Sequence, residues 1–212
     1  MKKFDTVKKN LLELGYKVSV FATAKDAADY LDSSIDGVTV GFGGSMTLQG
    51  MGMFDRLKAH NTVYSHLNGF PVGDGFGPPT PPDSSVPGFK EVSFAKVFLT
   101  SANGLAETGE IINIDGYGNR VSAMLFGHEK IYFVVGRNKI APTYDEAMWR
   151  ARNIAAPKNA QRKNLNTPCA AKADKCYNCK SPDRICRGVA ILWAPVHNID
   201  TEVVLIDEDL GF

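Results

Sequence analysis

The chain has 212 residues, 44% apolar and 22% charged, with 24 basic residues against 23 acidic. That balance excludes disorder, collagen and coiled coil for the bulk of the chain, and the lack of a basic pole argues against nucleic acid as a partner. The longest apolar runs are far below the ~20 residues of a membrane span, and Met1-Lys2-Lys3-Phe4 lacks the apolar stretch of a signal peptide, so a cytoplasmic protein built on one main domain is expected.

In chain order, Phe4, Val7, Leu11 and Leu14 recur at helical spacing over residues 3–14, and Gly15 ends the run. Residues 17–21 alternate as a strand. A short helix over 24–31 turns Ala27, Ala28 and Leu31 inward. A buried strand over 37–42 runs into Gly43-Gly44-Ser45-Met46-Thr47 and a helical stretch to Leu57, and 62–65 reads as a strand. Residues 68–89 are dense in proline and glycine and cannot form a central strand or a helix. A loop longer than about 15 residues is either a lid or binding loop or an inert surface excursion. Strands then follow over 96–100, 110–114 and 130–135, with a turn-rich connection at 101–109 and a short helix after Asn119. Residues 144–155 form a helix with Ala147, Met148, Ala151 and Ile154 on one side, and strands over 189–193 and 203–206 close the chain. This alternation predicts an α/β fold with a mostly parallel sheet flanked by helices.

In such sheets ligands bind beyond the carboxyl ends of the strands. Three of these ends are polar and glycine-rich. Gly43, Gly44, Ser45, Met46 and Thr47 let the backbone approach a ligand and offer the N–H groups of a helix start to an anion. The spacing is neither the dinucleotide fingerprint nor the P-loop, and a tight strand-to-helix turn capped by Ser45 explains it equally well. Ser101, Ala102 and Asn103 follow the second strand, and Glu107, a candidate base or nucleophile, is also a candidate solvated turn residue. Asn119 with Arg120 and Asn138 with Lys139 form the third group, in which Arg120 and Lys139 are placed to clamp a phosphate or carboxylate. His60, His66, His128 and His197 form no ligand pair.

All four cysteines, Cys169, Cys176, Cys179 and Cys186, fall in one short window in C-x6-C-x2-C-x6-C spacing. Clustered thiols without an export signal point to metal ligation or redox chemistry rather than a disulfide scaffold. Four thiolates on one loop can wrap one Zn²⁺ or one iron–sulfur cluster, and Lys172, Lys175, Lys180, Arg184 and Arg187 would offset their charge. Air-formed disulfides and free thiols are the alternatives. Pro168 and Pro182 bracket a segment too poor in apolar residues to order itself, so metal–thiolate bonds are expected to supply that order.

Taken together, Val40-Gly41-Phe42-Gly43-Gly44-Ser45-Met46-Thr47, Thr100-Ser101-Ala102-Asn103, Gly109, Asp115-Gly116, Gly118-Asn119-Arg120-Val121, Val135-Gly136-Arg137-Asn138-Lys139-Ile140, Ala155-Ala156-Pro157, Thr167-Pro168-Cys169 and Glu208-Asp209-Leu210-Gly211 resemble the LUD-domain family of lactate utilisation proteins. The resemblance covers residues 37–212, with a cysteine-rich loop at 167–187, and leaves 1–36 as a helix–strand extension. It implies a fold like that of the NagB/RpiA/CoA-transferase-like superfamily. It also implies a component of a system that oxidises L-lactate to pyruvate, holding a small anionic ligand beside iron–sulfur partner proteins. That redox setting, with the cysteine spacing, favours a [4Fe–4S] cluster over Zn²⁺. In the superfamily's isomerases the glycine-rich loop holds a phosphate, and in its CoA transferases a glutamate takes the acyl group. An isomerase or acyl/CoA transferase acting on a phosphorylated or CoA-linked substrate is therefore the alternative, and a metal-stabilised assembly module a third.

Overall fold

The computed structural model describes residues 4–65 and 90–212. The proline- and glycine-rich stretch at 68–89, expected to be a lid or an inert excursion, and His66 lie outside the described residues.

The elements are α1 (Asp5–Glu13), β1 (Lys17–Phe21), α2 (Ala24–Ser34), β2 (Thr39–Phe42), α3 (Met46–Gly50), α4 (Met53–Lys58), β3 (Thr62–Ser65), a 3-10 turn (Glu91–Phe94), β4 (Val97–Thr100), β5 (Gly104–Ala106), β6 (Ile111–Asp115), α5 (Asn119–Ala123), β7 (Lys130–Gly136), a 3-10 turn (Arg137–Lys139), β8 (Ile140–Ala141), α6 (Tyr144–Arg150), a π-helical turn (Ala151–Ala155), α7 (Ala156–Arg162), α8 (Pro168–Lys172), β9 (Gly188–Leu192) and β10 (Asp200–Ile206).

Six strands form the main sheet in the order β1-β10-β7-β4-β2-β3, and every pairing is parallel. Because strand side chains alternate between faces, the sheet carries two cores. On one face Phe98, Ile131, Phe133, Val135, Val203 and Leu205 pack with Phe4, Val7 and Leu11 of the α1 region. On the other, Phe42, Leu99, Tyr132, Val134, Val204 and Ile206 pack with Leu31 of α2, Leu48 of α3 and Leu57 of α4. Parallel strands buried on both faces read as continuous apolar runs, which is why 130–135 is so plain in the sequence.

The remaining strands form a second sheet, β8-β5-β6-β9, of mixed direction. Leu105, Ile111 and Leu192 face the main sheet's core, whereas Ala106 and Ile112 pack against Ala147 and Ala151 of the α6 region. The small sheet is thus a layer between the main sheet and the long helix running from α6 through the π turn to α7. Thr143 and Glu146 form a capping box that fixes the start of that helix.

Candidate functional site

The carboxyl ends of β2, β4 and β7 stand side by side because these parallel strands are neighbours. From β2 the chain moves outward to β3, then returns on the other side as β4, so the direction of winding reverses between β2 and β4. A crevice beyond such a reversal is where open parallel sheets bind ligands.

Thr47 of α3, Ser101 after β4 and Lys139 in the turn after β7 meet there, all buried. The Lys139 Nζ donates to Thr47 Oγ1 at 2.8 Å and to Ser101 Oγ at 2.9 Å. Lys139 is only 4% exposed. Its burial, then the charges of Arg150 and Arg120, lowers its pKa from 10.5 to about 7.

Of the other strand-end residues singled out from the sequence, all but Glu107 stand around this point. The Ser45 hydroxyl accepts from the Leu48 N–H at 3.3 Å and so caps α3, which Met46 opens. Gly44 is exposed and Ala102 is buried. The Asn103 Oδ1 accepts from the Ile114 N–H at 2.8 Å and from Arg120 at 3.1 Å. Arg120 also donates to the carbonyls of Ile114 at 2.7 Å and Gly44 at 3.5 Å, and its Nε lies 3.5 Å from Asp115 Oδ2. Through these bonds its guanidinium ties the β2 and β4 loops to β6. A Cβ at Gly43 would come within 2.9 Å of the Arg120 side chain, so glycine is what lets this arginine cross the loop. Asn119 opens α5, and its carbonyl accepts from Ser122 Oγ. Asn138 accepts from the Leu210 N–H at 3.1 Å and donates to the Gly211 carbonyl at 3.3 Å. Glu107 lies beyond the far end of β5 from Asn103; its N–H bonds Ala141 and its carbonyl accepts from Asn10 of α1, which places it away from the strand-end crevice.

The four cysteines line a second concavity, together with Arg152, Pro157, Tyr177, Arg184 and Ile185. All four are unbridged and half-buried. The cleft is anchored at three places. The Cys176 N–H donates to Asn153 Oδ1 at 3.1 Å, the Arg187 N–H donates to the Asp115 carbonyl at 3.1 Å, and Thr167 caps α8, the helix that carries Cys169. Arg184 donates to the carbonyls of Cys179 and Cys186 at 2.9 and 3.1 Å, which curls the loop around its own guanidinium. Burial would raise the Cys176 thiol, but Arg152, 3.5 Å from its Sγ, and the Asn178 N–H outweigh burial and hold it below its ordinary value. Among the described residues, no three His, Cys, Asp or Glu side chains stand together as a ready-made seat for a metal ion. The lining offers sulfur and guanidinium but no carboxylate, a donor set for a soft metal or a cluster rather than for Mg²⁺ or Ca²⁺.

A family model of the LUD domain matches residues 4–206, nearly the whole chain. The chain belongs to the LUD-domain family. It is also similar to a crystal structure of a DUF162-family protein from Deinococcus radiodurans, at 13% identity over 97% of this chain and 96% of that one, with a TM-score of 0.53, a likeness of fold. No curated protein matches the chain.

Three features of this LUD domain escaped the sequence reading. Arg150 is buried and donates to the carbonyls of Asn138, at 2.7 Å, and Asn103, so that it braces both loops from behind. Its signal was its spacing: three residues after Ala147, it falls on the inward face of the helix. Asn113, fully buried, donates to the Ser101 carbonyl at 3.0 Å and accepts from the Asn103 N–H at 3.1 Å. A lone polar residue within Ile111-Ile112-Asn113-Ile114 marked it. Third, residues 208–211 fold back over the crevice. A Cβ at Gly136 would sit 2.8 Å from both the Glu208 carbonyl oxygen and the Leu210 nitrogen. No helix of the described residues is long and apolar enough to cross a membrane.

Proposed function

We propose that this LUD-domain protein serves lactate utilisation as a carrier of one iron–sulfur cluster, with a small carboxylate or phosphate held at the strand ends. The observation that carries the reading is that all four thiols line one cleft, together with two arginines. Cys169, Cys176, Cys179 and Cys186 would hold the cluster. A cubane places its thiolates on four different irons, and the four cysteines that line this cleft match that number. When bound, such a cluster supplies one-electron transfer, and the electrons would pass to iron–sulfur partner proteins of lactate oxidation. The chain's own residues prepare the site. Arg152 and Arg184 offset thiolate charge, Asn153 positions Cys176, and Pro157 and Ile185 keep part of the wall apolar.

The acyl-transfer alternative needs a carboxylate at the strand ends, and Glu107 is on the far side of β5. The deciding experiment is purification of the full chain without oxygen, reconstitution with ferrous iron and sulfide, and assay of iron, acid-labile sulfide and visible absorbance. Four irons and four sulfides per chain, lost in Cys176→Ser, are expected of a [4Fe–4S] site. A colourless protein that takes up one Zn²⁺ would replace the cluster with a structural zinc, and a protein that binds neither would end the metal reading.

A further inference from the structure

The strand-end crevice holds a group whose chemistry anion binding does not exhaust. Lys139 is almost completely enclosed and is bonded to two hydroxyls rather than to a carboxylate. Its cationic neighbours are Arg120, paired with Asp115, and Arg150, whose donors go to backbone carbonyls. Two guanidiniums therefore stand near one amine, and Asp115 pairs with one of them. That combination has two demands: an anionic group to balance the arginines, and an electrophile to use the amine's lone pair.

We propose that Lys139 is a nucleophilic lysine that captures a small 2-oxo acid as an imine on its Nζ. The proposal rests on the reading that this end of the sheet binds a small carboxylate, and it deepens that reading by naming the class of compound. The Nζ lone pair attacks the keto carbon to give a carbinolamine. The nitrogen passes one proton to the former carbonyl oxygen as the carbinolamine forms and the second as that oxygen leaves as water, so that a C=N bond replaces the C=O bond with no net oxidation. Thr47 Oγ1 and Ser101 Oγ, each within 3 Å of Nζ, are the groups placed to pass a proton from nitrogen to the departing oxygen. The carboxylate faces the positive side of the crevice. The depressed basicity of the amine supports this geometry, because an imine forms from the uncharged amine.

Entry lies through the cover. Leu210 and Gly211 are tied across the crevice by Thr47 Oγ1 donating to the Leu210 carbonyl at 3.2 Å and by the two Asn138 bonds at 3.1 and 3.3 Å. These three bonds are the ones that must open for a ligand to reach the Lys139 amine.

The test treats the full chain with pyruvate and sodium borohydride at pH 7, which reduces any imine to a stable secondary amine, followed by peptide mapping. One carboxyethyl group on Lys139 is expected, at least ~10-fold above exposed Lys25 or Lys172, because a lysine titrating near 7 has orders of magnitude more free amine at that pH. Lactate, which has the carboxylate but no keto group, should slow this labelling and leave no adduct. Lys139→Arg should abolish it. Since that variant risks misfolding, the wild-type map decides by itself. Calorimetric binding of pyruvate without an adduct on Lys139 would overturn the imine and leave the carboxylate site standing. No binding of pyruvate or lactate would remove both, and adducts spread evenly over surface lysines would remove the imine.

Discussion

Replacing Lys139 with methionine should change how stability depends on pH. Burial lowers this lysine from 10.5 to about 7 in the fold, whereas the unfolded chain keeps the ordinary value near 10.4. Between those two values the unfolded state binds more protons than the native one, so stability rises with pH across that window. At pH 7 the protonation penalty against the native state is roughly 4 kcal/mol, and by pH 9 it falls to roughly 2 kcal/mol, at ~1.4 kcal/mol per unit. The wild-type protein should therefore gain about 2 kcal/mol relative to Lys139→Met between pH 7 and 9. Urea unfolding of both proteins at the two pH values, followed by circular dichroism, reads this difference directly. Titrations shared by the two proteins, such as those of tyrosines and surface lysines, cancel in the subtraction. Stability curves that stay parallel from pH 7 to 9 would show that Lys139 keeps an ordinary basicity, and the electrostatic account of the crevice would fall with it.

Gly136→Ala should destabilise the protein by about 1–3 kcal/mol in urea titration, because its Cβ meets the Glu208 and Leu210 backbone at 2.8 Å, and it should speed hydrogen exchange of the Leu210 N–H. Arg152→Leu should lower the iron retained per chain after reconstitution while the far-ultraviolet circular dichroism stays unchanged; equal iron content would mean that the guanidinium does not serve the cleft. His60 bridges Asp32 and Asp36 at 3.0 and 2.9 Å, and these two partners, Asp32 first, raise its pKa. Its stabilisation is therefore complete below the ordinary histidine value near 6.5 and is lost as pH rises through the higher folded-state value. His60→Gln should remove that loss, as thermal unfolding at pH 5.5 and 8.5 would reveal.

How far the sequence discloses this molecule differs from element to element. β7 and β10 announced themselves because burial on both faces leaves an unbroken apolar run, as in Ile131–Val135 and Val203–Ile206. The second sheet was not legible as a separate layer. β5 is three residues long and gives no periodicity to read, so Gly104–Ala106 is indistinguishable in the sequence from the turn-rich connection around it. The helix expected to stop at 155 continues to Arg162 through Pro157. The π turn restarts the hydrogen-bond ladder, which puts Pro157 in a first turn, where its missing N–H has no partner to lose. At the crevice, Thr47, Ser101 and Lys139 were each marked by following a buried strand. The division of labour between Lys139 and Arg120 was not, because both are cations after a glycine–asparagine or asparagine step, and only packing decides which one is enclosed by hydroxyls and which by carbonyls.

The π-helical turn at Ala151–Ala155 has an evolutionary consequence. Arg150, just before it, braces the loops that carry Lys139, while Arg152 and Asn153, within it, reach Cys176. Each residue of a helix advances the direction of the next by about 100°. Deleting or inserting a single residue here would therefore swing Arg152 and Asn153 away from the cysteine cleft even if every side chain were kept. A substitution along this helix alters one contact, whereas a change in its length alters the contacts to both sites at once. Among relatives that keep both the crevice lysine and the four cysteines, the number of residues separating them across this helix should be invariant, while the connections on either side are free to grow and shrink.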